Sequence, residues 1–186
     1  MIRRQVFAAV RVLLGLTVLL GVLYPLAVTG LAGLAMPGRA GGTLVRSGEQ
    51  VVGSALIGQE FTGLEWFHGR PDPFDPTASG ATNLGSSNGV LAGAVRLAAD
   101  DIARLEEWAG PIPADAVSGS GSGLDPHISP EYAQLQAPRV AAARGLDEEE
   151  VLRLVESFTE DRSLGIVGEP RVNVLLLNLA LSALRP

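Results

Sequence analysis

Residues 12–34 read VLLGLTVLLGVLYPLAVTGLAGL, and this stretch decides the architecture. A helix rises about 1.5 Å per residue, so about 20 apolar residues cross a hydrocarbon core about 30 Å thick. The stretch meets that length and holds no charged residue. Pro25 and the glycines at 15, 21, 30 and 33 would weaken a helix in water, but neighbouring helices re-satisfy freed backbone groups in a bilayer. Gly-x-x-x-Gly does not occur in it, so the small residues suit close packing by other helices better than self-dimerisation. A cleaved signal peptide is the rival reading, with Arg3, Arg4 and Arg11 as its basic region and Gly33-Leu34-Ala35 as a small-x-small site. The apolar run exceeds the 7–15 residues usual for such a signal, so a retained transmembrane helix over 12–34 is expected.

Working outward, Arg3, Arg4 and Arg11 precede the span, and Arg39 and Arg46 follow it. This bias places residues 1–11 in the cytoplasm and residues 35–186 outside it, in a cell (inner) membrane. Every acidic residue lies beyond the span: 20 carboxylates face 11 arginines there, a formal −9. Such a surface suits neither nucleic acid nor anionic lipid. It can concentrate cations, although acidic surfaces usually serve solubility alone. Cysteine is absent, which removes disulfides and thiolate chemistry. All 14 basic residues are arginine, so the lysine of a Walker A loop is missing and autonomous ATP hydrolysis by that route is excluded.

The remaining chain reads as one α+β domain of short strands and about four helices. After the glycine-rich connector 37–42, residues 43–45 and 51–57 are β-branched and apolar between glycines, and predict strands. Residues 67–88 form a long polar loop, its Arg70-Pro71-Asp72-Pro73 and Asp75-Pro76 unsuited to helix; loops of this length are often functional. Apolar residues at Leu91, Val95, Ala98, Ile102 and Leu105 predict an amphipathic helix to Trp108. Ala116-Val117 is strand-like. Ser129-Pro130 opens a helix to Arg144, ended by Gly145. Asp147 and Glu150 form a capping-box pattern for a helix through Phe158. Residues 164–167 suggest a last strand, and 172–184 a core helix too short and too polar to span.

Residues 118–130, SGSGSGLDPHISP, are the most unusual stretch of the domain. By composition SGSGSG is a flexible linker. Leu124 to Pro130, by contrast, bring turn formers and a helix cap. Successive backbone N–H groups of such a turn could cradle an anion, or the turn could bring backbone close to a partner. A Gly-x-Ser-x-Gly elbow fails because Gly121 stands at the centre of Gly119–Gly123. Ser122, His127 and Asp125 are raw material for a triad, but adjacency in sequence is not triad geometry. Asp125, His127 and His68 fall short of a metal-ligand set; catalytic and metal residues are therefore read as none. Glu169-Pro170-Arg171 reads as a turn with Arg171 in an ion pair, or as a partner-facing arginine.

Several segments together resemble the C subunit family of the Kdp-type potassium-transporting ATPase. They are Gly53-Ser54-Ala55-Leu56-Ile57-Gly58-Gln59; Trp66-Phe67-x-x-Arg70-Pro71; Ser79-Gly80-x-x-Asn83-Leu84-Gly85-x-x-Asn88; Ser120 to Pro130; Gln136; Arg139-Val140-Ala141-x-Ala143-Arg144-Gly145; and Gly168 to Leu175 with Asn178-Leu179-Ala180-Leu181. They follow the family's order and cover nearly the whole chain. Trp66 stands where Tyr is usual, Ser118-Gly119 replaces Thr-Ala, and Ala81-Thr82 replaces Gly-Ser. The resemblance implies a non-catalytic accessory subunit that assembles in the bilayer with a potassium-translocating subunit and an ATP-hydrolysing subunit. It also implies a catalytic chaperone that raises the hydrolytic subunit's ATP affinity. ATP is thus a ligand implied by the family, and no cofactor is read from the chain itself. A domain outside the membrane reaches cytoplasmic ATP only through the complex. The alternatives are a gate or cation-attracting cap at the outer mouth of the potassium-translocating subunit, and a membrane-anchored serine hydrolase. The candidates for partner or ligand contact are Ser120, Gly121, Ser122, Gly123, Leu124, Asp125, Pro126, His127, Glu169, Arg171 and Asn173.

Overall fold

The computed structural model describes residues 2–184. Helix α1 runs without a break from Ile2 to Ala35, so the span expected over 12–34 continues N-terminally through the three arginines. Pro25 cannot donate to the carbonyl of Gly21, and its ring crowds that carbonyl. The helix answers by widening into a π turn over Leu19–Leu23, just ahead of the proline. No residue of α1 is buried against protein. The chain divides into two units, Met1–Leu44 and Val45–Pro186.

The second unit opens on a two-stranded sheet, β1 (Leu44–Ser47) and β2 (Gln50–Ser54), with Gly48 at φ +61° supplying the turn. Extended structure stops at Ser54, short of the expected Ile57, because Ser54 turns the chain: its Oγ accepts from Leu56 N at 3.1 Å. The loop from there to Asn88 is as long as the sequence implies. Asn88 caps α2 (Gly89–Leu105), accepting from Val90 N at 2.8 Å. Ala116-Val117 is not a strand. It belongs to a single helical turn, Ala114–Val117, which Pro113 starts and Ser118 closes by donating from Oγ to Ala114 O at 2.6 Å.

A three-stranded antiparallel sheet lies in the order β3 (His127–Ile128), β5 (Arg171–Asn173), β4 (Thr159–Glu160). Its register pairs His127 with Asn173 and Thr159 with Val172. Residues 164–167 do not form the expected strand, since Leu164 and Gly165 both have positive φ and turn the chain. The expected helix over 172–184 yields its start to β5 and begins at Val174.

Helix α3 (Pro130–Arg144) has the predicted bounds. Ser129 Oγ accepts from Tyr132 N, Pro130 occupies the first turn, and Gly145 at φ +67° ends the helix. Asp147 caps α4 (Glu148–Ser157) through the N–H groups of Glu149 and Glu150. The core lies between α3, α4, the sheet and α5 (Val174–Ala183). Phe67, Ile128, Val140, Val151, Val155, Val172, Leu177 and Leu181 are its fully buried side chains. Gln136 and Asn178 are buried among them, and they position the site.

Candidate functional site

Burying an amide side chain among hydrocarbons is unfavourable unless its donors and acceptors are met. Asn178 on α5 and Gln136 on α3 meet theirs by acting as a partner strand for the start of the long loop. Asn178 accepts from Phe67 N at 2.9 Å through Oδ1 and donates to Phe67 O at 2.9 Å through Nδ2. Gln136 does the same for His68, accepting at 2.7 Å and donating at 3.1 Å. Arg139 reaches the carbonyls of Leu64 and Trp66 while Glu106 holds its guanidinium at 3.0 Å. Both side chains of that ion pair are nearly inaccessible. Arg144 donates to Glu65 O at 2.8 Å and lies over the Trp66 ring, 4.4 Å from its centroid. Irregular backbone thereby becomes as well bonded as a strand.

Held in this way, the segment delivers Arg70 and Asp72 to the glycine-rich loop. Asp72 accepts the N–H of Ser120 with both carboxylate oxygens, each at 2.9 Å. Arg70 donates to Ser118 O and, at 2.8 Å, to Gly119 O. Its other terminal nitrogen lies 3.5 Å from Asp125 Oδ2. The loop then bonds to itself: Ser120 Oγ accepts from Gly123 N at 2.8 Å, and Ser122 Oγ from Leu124 N at 3.1 Å. Gly80 N and Ser79 Oγ donate to Ser122 O, and Gly58 N to Leu124 O at 2.8 Å. SGSGSG is therefore a clamped turn, not a linker. Gly119 has no room for a side chain, since a Cβ there would stand 2.5 Å from Asp72 Oδ1.

Asp125 and His127 finish the loop. Asp125 Oδ1 accepts from His127 N at 3.0 Å and lies 3.4 Å from its Nδ1. The His127 hydrogen bonds, ahead of the Arg70 charge, hold the Asp125 carboxyl below its usual range. Pro126 O accepts from Val174 N, and Asn173 joins Ala55 O to Leu176 N through its two amide atoms. A cleft of about 340 Å³ lies beside the loop, lined among others by Glu60, Phe61, Arg70, Asp72, Asp101 and Tyr132. Four lining carboxylates, with Asp125, face one guanidinium. Burial pushes the His68 imidazole down and the Tyr132 phenol up, the latter helped by Glu106.

The structure thus brings Ser120, Gly121, Ser122, Gly123, Leu124, Asp125, Pro126, His127 and Asn173 into one bonded unit. Glu169 and Arg171 lie outside it, on the β4–β5 hairpin, where each has an ion-pair partner, Arg162 and Glu160. No hydrogen bond among the described residues joins Ser122 to His127, so the triad's raw material is not assembled. Sequence reasoning missed Asp72, Glu106 and Asp115 as positioning residues; Asp115 holds Ser129 through N (2.6 Å) and Oγ (2.9 Å). The signal for Gln136 and Asn178 was there: an amide at a core-facing position of an apolar helix must have a buried partner.

A family model described as K+-transporting ATPase, c chain, matches residues 6–183. The chain is 49% identical to the potassium-transporting ATPase KdpC subunit of Rhodopseudomonas palustris, covering 98% of both chains. It is 52% identical to those of Nitratidesulfovibrio vulgaris, over 87% of this chain and 85% of that one, and of Caulobacter vibrioides, over 91% and 88%.

Proposed function

The chain belongs to the KdpC family, the c chains of K+-transporting ATPases, and from that premise we propose that it is a non-catalytic, single-span accessory subunit of a potassium-importing pump. Its α1 helix packs in the bilayer with the potassium-translocating and ATP-hydrolysing subunits. Its domain, outside the cytoplasm, presents a rigid surface to them. It stabilises the complex, and it raises the ATP affinity of the hydrolytic subunit through the complex and not by holding nucleotide itself.

One observation carries this reading. The glycine-rich loop is the best phosphate cradle the sequence offers, and the Ser120 amide in it already holds a carboxylate, Asp72, through both oxygens. A triphosphate would have to displace that anion inside a cleft of net negative charge. The same acidic balance favours the second reading, a cation-attracting cap at the outer mouth of the potassium-translocating subunit, without nucleotide contact.

A topology reporter fused to the C-terminus tests the premise on which both readings stand. Activity of an extracytoplasmic reporter is expected; a cytoplasmic result brings direct ATP contact back and overturns the proposal. The KM for ATP of the purified complex, with and without this chain, then separates the two readings. A rise on its removal supports coupling through the complex, whereas an unchanged KM for ATP with a raised KM for potassium supports the cap.

A further inference from the structure

Between β4 and β5 the chain runs out into a hairpin in which every residue from 161 to 169 is exposed. Two ion pairs cross its stem, Glu160–Arg171 at 2.9 Å and Arg162–Glu169 at 2.5 Å. Beyond them Ser163 and Val167 exchange backbone hydrogen bonds in both directions, at 2.8 and 2.9 Å. At the apex Leu164 is 93% exposed and Ile166 79%. No large apolar residue of α1 is as open as Leu164; the highest there is Leu34, at 85%. Such clustering of apolar side chains on a well-bonded tip marks an interaction surface.

The backbone makes the choice of residue more pointed. Leu164 and Gly165 have φ of +55° and +75°, and Ile166 N donates to Ser163 O, the pattern of a turn whose two central residues are left-handed. Asn-Gly is the usual chemistry there, and a side chain like leucine's is disfavoured. A polar residue would suit both the turn and the water around it. The leucine serves neither the turn nor the core.

We infer that the β4–β5 hairpin is a docking finger whose apex, Leu164, Ile166 and Val167, seats in an apolar pocket on the extracytoplasmic surface of a membrane-embedded subunit of the same pump. This rests on the subunit reading above. The occupant follows from charge and area. Segments that enter lipid surfaces carry aromatic or excess basic residues. Residues 160–171 have no aromatic and more acids than bases, in a domain of formal charge −9. A stable dimer of free chains buries about 1,200–2,000 Å², far beyond what three side chains supply. A partner held in the same bilayer needs much less, because the span raises the effective concentration to about the millimolar range.

The test uses the full-length chain co-expressed with the other pump subunits. A photo-crosslinker, p-benzoylphenylalanine, is placed at position 164 and, as a control, at position 97 on exposed α2. The expected result is an adduct with an identified pump subunit, at least about fivefold above the control. An adduct only with lipid, only with a second copy, or no higher than the control overturns the finger. In parallel, Leu164→Asn with Ile166→Ser is expected to leave the melting temperature of the isolated chain equal or higher. The same pair of changes should speed dissociation of the detergent-purified complex by about tenfold or more. An unchanged dissociation rate in a complex that still co-purifies overturns the finger alone. Failure of the unaltered chain to co-purify with any pump subunit overturns the subunit reading on which it rests.

Discussion

Replacing Asn178 by Asp changes one atom and reverses one hydrogen bond. In the native chain Nδ2 donates to Phe67 O and Oδ1 accepts from Phe67 N, both at 2.9 Å. Phe67 is fully buried and Asn178 is 1% exposed, so water cannot substitute. An ionised carboxylate keeps the acceptor but turns its second oxygen against the Phe67 carbonyl. A buried acceptor left without a donor costs about 1–3 kcal/mol, and burying the charge adds more, so a loss of about 3–5 kcal/mol at pH 7.5 is expected. That is a large part of the roughly 5–15 kcal/mol that holds a typical domain together. Protonation restores a donor. Because burial raises the new carboxyl's folded-state pKa above its unfolded value, the favourable protonated form is fully present below about 3.9 and lost as pH rises through the folded pKa. The deficit relative to the native chain should therefore shrink steadily from pH 7.5 to pH 4.5. Urea unfolding of the full chain in detergent, followed by Trp66 fluorescence at each pH, measures it. Asn178→Leu serves as the control whose deficit stays constant with pH. A deficit for Asn178→Asp below about 1 kcal/mol at pH 7.5, or one that does not change with pH, refutes the claim that this amide stands in for a strand.

Arg139→Met should destabilise the domain by about 3–5 kcal/mol, because Glu106 is left buried and unpaired; adding Glu106→Leu should recover most of the loss, read in the same unfolding assay. His68 has its pKa lowered chiefly by burial, so the folded chain favours the neutral ring. Its contribution is present above the unfolded value near 6.5 and falls away as pH drops through the folded value. His68→Gln should flatten that part of the stability–pH curve between pH 7 and pH 5, and an unaltered slope would count against it. Gly58→Ala puts a Cβ 2.8 Å from Asp125 O, a backbone contact that must give way; a loss of about 1–3 kcal/mol and faster proteolysis of the loop 118–127 are expected.

Much of this molecule was legible because short-range physics wrote it. Length and charge-free composition mark α1, and Ser129, Pro130 and Gly145 mark both ends of α3, since caps act within one turn of the residues they serve. The reading failed where extended structure depends on a distant partner. Ala116-Val117 and residues 164–167 have strand-like composition, yet no strand lies alongside them. His127-Ile128 and Thr159–Glu160 are strands because β5 arrives between them. Glu169 and Arg171 were sensed as a pair of interest, but their partners, Arg162 and Glu160, are set by the hairpin and could not be chosen from the sequence.

The membrane anchor, the acidic domain and the family signature are determined by the sequence alone, because hydrophobic length, net charge and residue identity need no coordinates. The meaning of SGSGSG was decided only by tertiary structure. Glycine and serine permit a linker, an anion cradle or a clamped turn equally, since all three draw on the same backbone freedom. The choice falls to Asp72 and Arg70, residues 48 positions away from the groups they hold at Ser120 and Ser118. They reach the loop because Gln136, Arg139 and Asn178 pin the segment that carries them. Only the packed core brings those five side chains to one place.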